Sequence, residues 1–184
     1  FFLVFFIKHS VVSASVVTAF LGMLLPVFAF LIGRKLYNWK VGTIAALIIG
    51  FAPFLTLNSN YLLTDIPVAT LLGISFYLVL FKEKKWILFF SGVFFALAIL
   101  MKFTAILMAF VFLLYFVLAK FKLRDIFIFG IGFTLFFLPY LIWVQVEYEN
   151  FLIPFIKGPG MVSDGNEGMF FYFLNLSKAF TYFV

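Results

Sequence analysis

The chain has 184 residues, of which 66% are hydrophobic and only 11% are charged, and Phe alone accounts for 32 of them. A typical soluble domain is about half apolar and about a quarter charged, so this composition excludes a soluble globular fold, a disordered chain and a nucleic-acid-binding domain. The net charge of +6 fits a multi-pass membrane protein, because Lys and Arg collect on cytoplasmic loops. We therefore predict an all-α polytopic membrane protein with no nucleic-acid partner.

Six uncharged apolar segments follow one another along the chain and predict about six membrane-spanning helices. A helix needs about 17 to 25 residues to cross the hydrocarbon layer, and each segment has about this length or slightly less. None shows the strict alternation of polar and apolar residues that is typical of a β-barrel strand. In chain order the segments comprise residues 11–32, 41–57, 66–81, 86–101, 103–119 and 126–146.

The fourth and fifth segments are separated only by Lys102. A single helix over residues 86–119 would be roughly 51 Å long, which exceeds the hydrocarbon core of about 30 Å. It would also place the two basic loops at residues 82–85 and 120–124 on opposite sides of the membrane, against the positive-inside rule. A tight hairpin at Lys102 is therefore predicted.

Six spans separate the charges into two groups. One side holds nine of the 13 basic residues and is predicted to be cytoplasmic, with the protein in the plasma membrane. The other side holds five of the seven acidic residues, so any site is expected there, facing outward. The nine basic residues are Arg34, Lys35, Lys40, Lys82, Lys84, Lys85, Lys120, Lys122 and Arg124.

The segment after the sixth span breaks the apolar pattern. Residues 147–168 contain Pro154, a Gly-Pro-Gly run and an acidic stretch, which together predict an external loop. The chain begins and ends within apolar segments and has no initiator Met. We therefore expect residues 1–184 to be part of a single transmembrane domain that is truncated at both ends.

Asp65 and Lys102 are charged residues at the predicted outer ends of apolar segments, and each has two interpretations. Asp65 or Thr64 would cap the third helix, or the carboxylate would bind a metal ion or orient a polar headgroup. Lys102 would extend its ammonium to the membrane interface, or it would bind a phosphate as a compact cation. Gly92 and Ala96 lie four residues apart and predict a helix-packing face.

The six segments contain no charged residue, whereas ion-coupled transporters usually place an ionisable group at membrane depth. A polytopic transporter or a lipid flippase remains the alternative to an enzyme, and a non-catalytic membrane subunit is a third hypothesis.

Four motifs in order resemble the dolichyl-phosphate-mannose–protein mannosyltransferase-like group of GT-C fold glycosyltransferases, which includes bacterial aminoarabinose transferases. Residues 31–37 (LIGRKLY) resemble the family's cytoplasmic turn, and residues 60–67 (NYLLTDIP) its external T-D-x-P stretch. Residues 84–86 (KKW) with 96–103 (ALAILMKF) resemble its basic hairpin, and residues 167–172 (EGMFFY) a later loop. The resemblance extends over about residues 1–175 and implies a GT-C-like multi-helix bundle.

The resemblance implies transfer of a hexosyl or pentosyl group from a polyprenyl-phosphate donor to a protein, lipid or glycan acceptor outside the cytoplasm. It implies that the catalytic base lies upstream of Phe1, that Asp65 lies near the donor phosphate or a divalent metal ion, and that Lys102 neutralises the phosphate leaving group. Metal dependence varies among such enzymes, so a divalent cofactor stays open. Further candidate substrate-binding residues are Asn60, Tyr61, Glu149 and Tyr172.

Overall fold

The computed structural model describes residues 11–52, 65–81 and 83–148. Within these ranges the chain is helical and contains no strand. The helices are α1 (Val11–Leu36), α2 (Trp39–Gly50), α3 (Asp65–Val79), α4 (Lys85–Met101), α5 (Met108–Leu118) and α6 (Leu123–Tyr148), with a 3-10 helix at Phe103–Leu107 before α5. The predicted all-α fold is confirmed, and one helix corresponds to each of the six apolar segments.

Several helix boundaries differ from those of the apolar segments. α1 continues four residues past residue 32 and includes Arg34 and Lys35 in its last turn. Cations are favoured there because the last turn of a helix exposes free carbonyl groups. α2 ends at Gly50, and the rest of the second predicted segment lies mostly outside the described residues.

Two described helices are long and apolar enough to cross a membrane by themselves, at Val16–Leu36 and Leu123–Val146. The other apolar helices in the described ranges have 10–17 residues, so they lie at or below the lower end of the usual spanning length. Membrane crossing by these shorter helices stays a prediction.

The chain divides into two compact units, Phe1–Trp143 and Val144–Val184. The second unit contains the end of α6, and the rest of it, including the predicted loop at residues 147–168, lies outside the described residues. The first unit holds the other helices.

In the first unit, α1 packs antiparallel to α2 and parallel to α3. Gly33 of α1 and Gly42 of α2 allow close backbone contact, since a Cβ on Gly42 would lie 2.6 Å from the Phe30 carbonyl oxygen. The Thr70 hydroxyl of α3 donates to the Leu21 carbonyl oxygen of α1 at 2.9 Å. Further along both helices the Phe28 and Tyr77 rings meet edge to face, with centroids 5.9 Å apart.

The helix break at Lys102 is confirmed, because α4 ends at Met101 and the 3-10 helix begins at Phe103. The chain reverses there: the rings of Phe95 and Phe112, on either side of the break, have centroids 4.9 Å apart. α6 then packs along α4, with Gly132 against Phe89 near the start of α4.

Gly92 and Ala96 face other helices, as predicted. A Cβ on Gly92 would overlap the Phe129 carbonyl oxygen of α6, and Ala96 is fully buried. Glycine is required at this crossing because the two backbones touch without an intervening side chain. Phe129 also stacks against Phe95, Phe112 and Phe116, so phenylalanine rings fill much of the space between α4, α5 and α6.

Candidate functional site: an ion pair at one end of the helices

Asp65 is the first residue of α3 and the acidic residue of its first turn. The exposed N–H groups of a helix N-terminus favour a negative charge, which explains a carboxylate at this position. The next two residues, Ile66 and Pro67, are buried, so Asp65 lies where the helix emerges from the packed core. The side chain is 46% exposed.

Lys102 occupies the junction between α4 and the 3-10 helix. Its backbone is extended (φ −153°, ψ 115°), and its N–H donates to the Ala98 carbonyl oxygen to end α4. Its carbonyl oxygen accepts from Ala105, which begins the next helical turn. The side chain is 40% exposed.

The structure brings these two residues together. The Lys102 ammonium donates a hydrogen bond to Asp65 Oδ1 and forms an ion pair with it. The residues are 37 positions apart in sequence, so the contact depends on how α3 and α4 pack. The sequence analysis placed both at one end of the predicted helices but did not predict the contact. Their chemical roles stay predictions.

Three of the basic residues predicted to be cytoplasmic, Lys35, Lys84 and Lys85, lie at the other end of α3 and α4. The Lys35 ammonium at the end of α1 lies 4.6 Å from the centroid of the Phe81 ring, just after α3. Such a cation–π contact fixes the end of α1 beside the connection between α3 and α4. Glu83 and Lys84 of this connection, and Lys85 at the start of α4, are exposed.

Four predicted substrate-binding residues, Asn60, Tyr61, Glu149 and Tyr172, lie outside the described residues. Their proposed roles stay predictions.

The described residues do not fit a divalent metal site. They contain no group of three or more His, Cys, Asp or Glu side chains that could hold an ion. Asp65, for which metal binding is one of the interpretations, is paired with the Lys102 ammonium, and its role toward a metal stays a prediction. Divalent cations prefer several oxygen ligands, so Asp65 would need partners from outside the described residues.

Three buried hydroxyls that hold α3 were not predicted from the sequence. Thr70, Ser75 and Ser91 are completely buried, and each bonds to a neighbouring helix. Each is an isolated hydroxyl residue within an apolar segment, and none belongs to a sequence motif or a regular spacing. A small polar residue in a membrane helix is itself the available signal, because interhelical contacts favour such residues.

The arrangement of helices and motifs can be compared with known proteins. The family model of the dolichyl-phosphate-mannose-protein mannosyltransferases matches residues 1–143, from before α1 to within α6. The chain belongs to this family. No curated protein and no solved structure matches it significantly.

Membership confirms the family resemblance, and three of the four motifs lie within the matched residues 1–143; the fourth, at residues 167–172, lies beyond them and stays a prediction. It also makes the chain a membrane glycosyltransferase of the mannosyltransferase type, in agreement with its apolar helices. The matched region includes both Asp65 and Lys102, which lie within residues 1–143.

Proposed function

We propose that the protein transfers a sugar from a polyprenyl-phosphate donor to a protein, lipid or glycan acceptor at the extracytoplasmic face of the plasma membrane. The ion pair between Asp65 and Lys102 is the observation that supports this proposal best. It places a half-exposed cation at the end of the helices opposite the basic connections.

The ion pair lies beside the N-terminal half of α1. Ile66, next to Asp65, contacts α1 at Gly22, since a Cβ there would lie 3.2 Å from Ile66 Cγ2. Arg34 and Lys35 lie in the last turn of α1, at its other end. The positive-inside rule then predicts that the ion pair is on the outward-facing side, where a lipid-linked donor would present its phosphate.

Lys102 would bind the donor phosphate while it remains paired with Asp65. An ammonium group has three N–H donors, so one bond to a carboxylate leaves capacity for phosphate oxygens. Asp65 holds the flexible lysine side chain at the site and balances its charge when no donor is bound. A lysine without such a partner would lose more conformational entropy on binding the phosphate.

The transfer breaks the bond between the sugar C1 and the phosphate oxygen. The electron pair stays on that oxygen, and Lys102 stabilises the negative charge of the departing polyprenyl phosphate. The acceptor atom forms the new bond to C1 and gives its proton to a base. We expect that base, and any divalent cation with its further ligands, to come from outside the described residues.

Donor turnover in nanodiscs tests this function. The full-length protein would be given a panel of hexosyl and pentosyl polyprenyl phosphates, and release of polyprenyl phosphate would be measured. We expect turnover with one donor and a loss of about 100-fold in Lys102→Gln, a typical effect of removing one charge-stabilising donor.

Lys84→Gln is the matched control, because Lys84 is exposed at the opposite end of α4. It should keep wild-type turnover. Equal turnover in Lys102→Gln and wild type would contradict the role of Lys102. Movement of lipid across the bilayer without release of polyprenyl phosphate would instead favour a flippase.

A further inference from the structure

A pair of serines joins α3 to α4 in the core of the helices. The Ser75 hydroxyl donates to the Ser91 carbonyl oxygen at 2.8 Å, and the Ser91 hydroxyl donates to the Ser75 carbonyl oxygen at 2.7 Å. The two hydroxyl oxygens are 3.2 Å apart. Both residues are completely buried, so neither hydroxyl can exchange its partner for water. We call this reciprocal contact the serine clamp.

The serine clamp and the ion pair are related by helix geometry. Ser75 is ten residues from Asp65 along α3, and Ser91 is eleven residues from Lys102 along α4. At 1.5 Å per residue these separations are about 15 and 16.5 Å, a difference of one residue. In two antiparallel helices, the register that aligns the serines therefore also aligns Asp65 with Lys102.

The other contacts between α3 and α4 are less selective for register. The other fully buried residues on these helices include the apolar side chains of Val79, Leu88 and Ile99. Apolar side chains pack in several registers at similar energy, because lipid tails solvate them equally well. Directional hydrogen bonds separate these registers, since sliding by one turn of about 5.4 Å would break both bonds of the clamp.

Each of the two helices is also held from another side. Thr70 connects α3 to α1 through its hydrogen bond to the Leu21 carbonyl oxygen, and Gly92 allows the backbone of α4 to contact that of α6. The serine clamp thus joins two parts of the first unit, one containing α1 and α3 and the other containing α4 and α6. Its geometry decides how the two charged residues meet.

We propose that Ser75 and Ser91 are positioning residues, which set the register of α3 against α4 so that Asp65 meets Lys102. The claim about register stands on the structure alone, whereas its importance for catalysis rests on the proposed function. Loss of the clamp would leave the helices folded but distribute them over several registers. The site would then be assembled for only a fraction of the time.

Cross-linking measures the register without any donor. Residues 1–184 contain no cysteine, so Asp65→Cys with Lys102→Cys creates a single reporter pair once any cysteine outside these residues is replaced. A short bifunctional thiol reagent would be applied to the protein in nanodiscs, and the rate of internal cross-linking measured. We expect Ser75→Ala with Ser91→Ala to lower this rate by about five- to ten-fold, as expected for two interhelical hydrogen bonds.

The control removes a hydroxyl that joins no helices. Thr43 donates to the Trp39 carbonyl oxygen within α2 at 2.9 Å, so Thr43→Ala should leave the cross-linking rate unchanged. The second reporter pair, Asp65→Cys with Thr104→Cys, should gain cross-linking in the clamp variant as the register spreads. The single variant Ser91→Ala should show a smaller change in the same direction. It replaces the double variant in the cross-linking measurement if the double variant does not fold.

An unchanged cross-linking rate in a folded clamp variant would overturn the proposal, even if the enzyme is active. A second readout separates positioning from a merely structural role. With Asp65 and Lys102 intact, Ser75→Ala with Ser91→Ala should lower kcat while the thermal unfolding midpoint stays within the range of Thr43→Ala. Reduced kcat only in proportion to lost folded protein would contradict the positioning role.

Discussion

At the residue scale, Asp65 illustrates how one side chain can serve both structure and function. It begins α3, where a carboxylate is favoured, and it also pairs with Lys102. The first role was predicted as an alternative from the sequence, and the second needed the packing of two helices. Because both side chains are about half exposed, solvent screens their attraction, and the pair contributes little to folding.

We therefore expect Asp65→Asn to change the free energy of unfolding by less than about 1 kcal/mol. The helix N-terminus and the exposed pair together account for a change of this size. Denaturant titration of the full-length protein in mixed micelles measures it. A much larger loss would show that Asp65 mainly supports the fold.

At the element scale, the sequence predicted six helical segments, the break at Lys102 and the packing face at Gly92. These features have strong local signals: long apolar runs, an isolated charge and a small residue. The sequence could not predict the partner of Gly92, because the contact with Phe129 depends on the crossing of α4 and α6. The serine clamp was missed for the same reason, since neither serine belongs to a local pattern.

The close crossing of α4 and α6 predicts a clear difference between two glycines. Gly92→Ala should destabilise the protein by about 1–3 kcal/mol, because the new methyl group would overlap the Phe129 carbonyl oxygen and force the helices apart. The matched control is Gly130→Ala on α6, where a Cβ would meet nothing within 4 Å. It should be neutral or stabilising, since alanine favours a helix more than glycine does.

Thermal unfolding of both variants in the same detergent compares them directly. Equal midpoints for Gly92→Ala and Gly130→Ala would contradict the close crossing.

At the scale of the whole molecule, charge is distributed unevenly between the two ends of α3 and α4. The ion pair of Asp65 and Lys102 is nearly neutral, whereas the described connections at the other end carry many exposed basic residues. The positive-inside rule predicts that the basic end faces the cytoplasm and that the ion pair faces outward. Composition and hydropathy predicted this segregation, whereas the pairing of Asp65 with Lys102 could be seen only from the packing of α3 against α4.

Thiol labelling tests the orientation, again because the chain has no cysteine. Thr104 and Lys84 are both exposed and lie near opposite ends of the hairpin formed by α4 and α5. A membrane-impermeant maleimide should label Thr104→Cys in intact cells, whereas Lys84→Cys should be labelled only after permeabilisation. The reverse pattern would contradict the proposed topology.

The most direct test of the central claim is the rate of polyprenyl-phosphate release by Asp65→Asn, measured in nanodiscs with the donor that the wild type uses. Asp125→Asn is the matched control, since Asp125 is also a first-turn aspartate, on α6, and lies 4.0 Å from the basic side chain of Arg124. We predict that Asp65→Asn lowers release by about 10-fold or more, because Lys102 loses the carboxylate that holds it at the site. Asp125→Asn should keep the wild-type rate. Equal release by both folded variants would contradict the claim that the ion pair forms part of the active site.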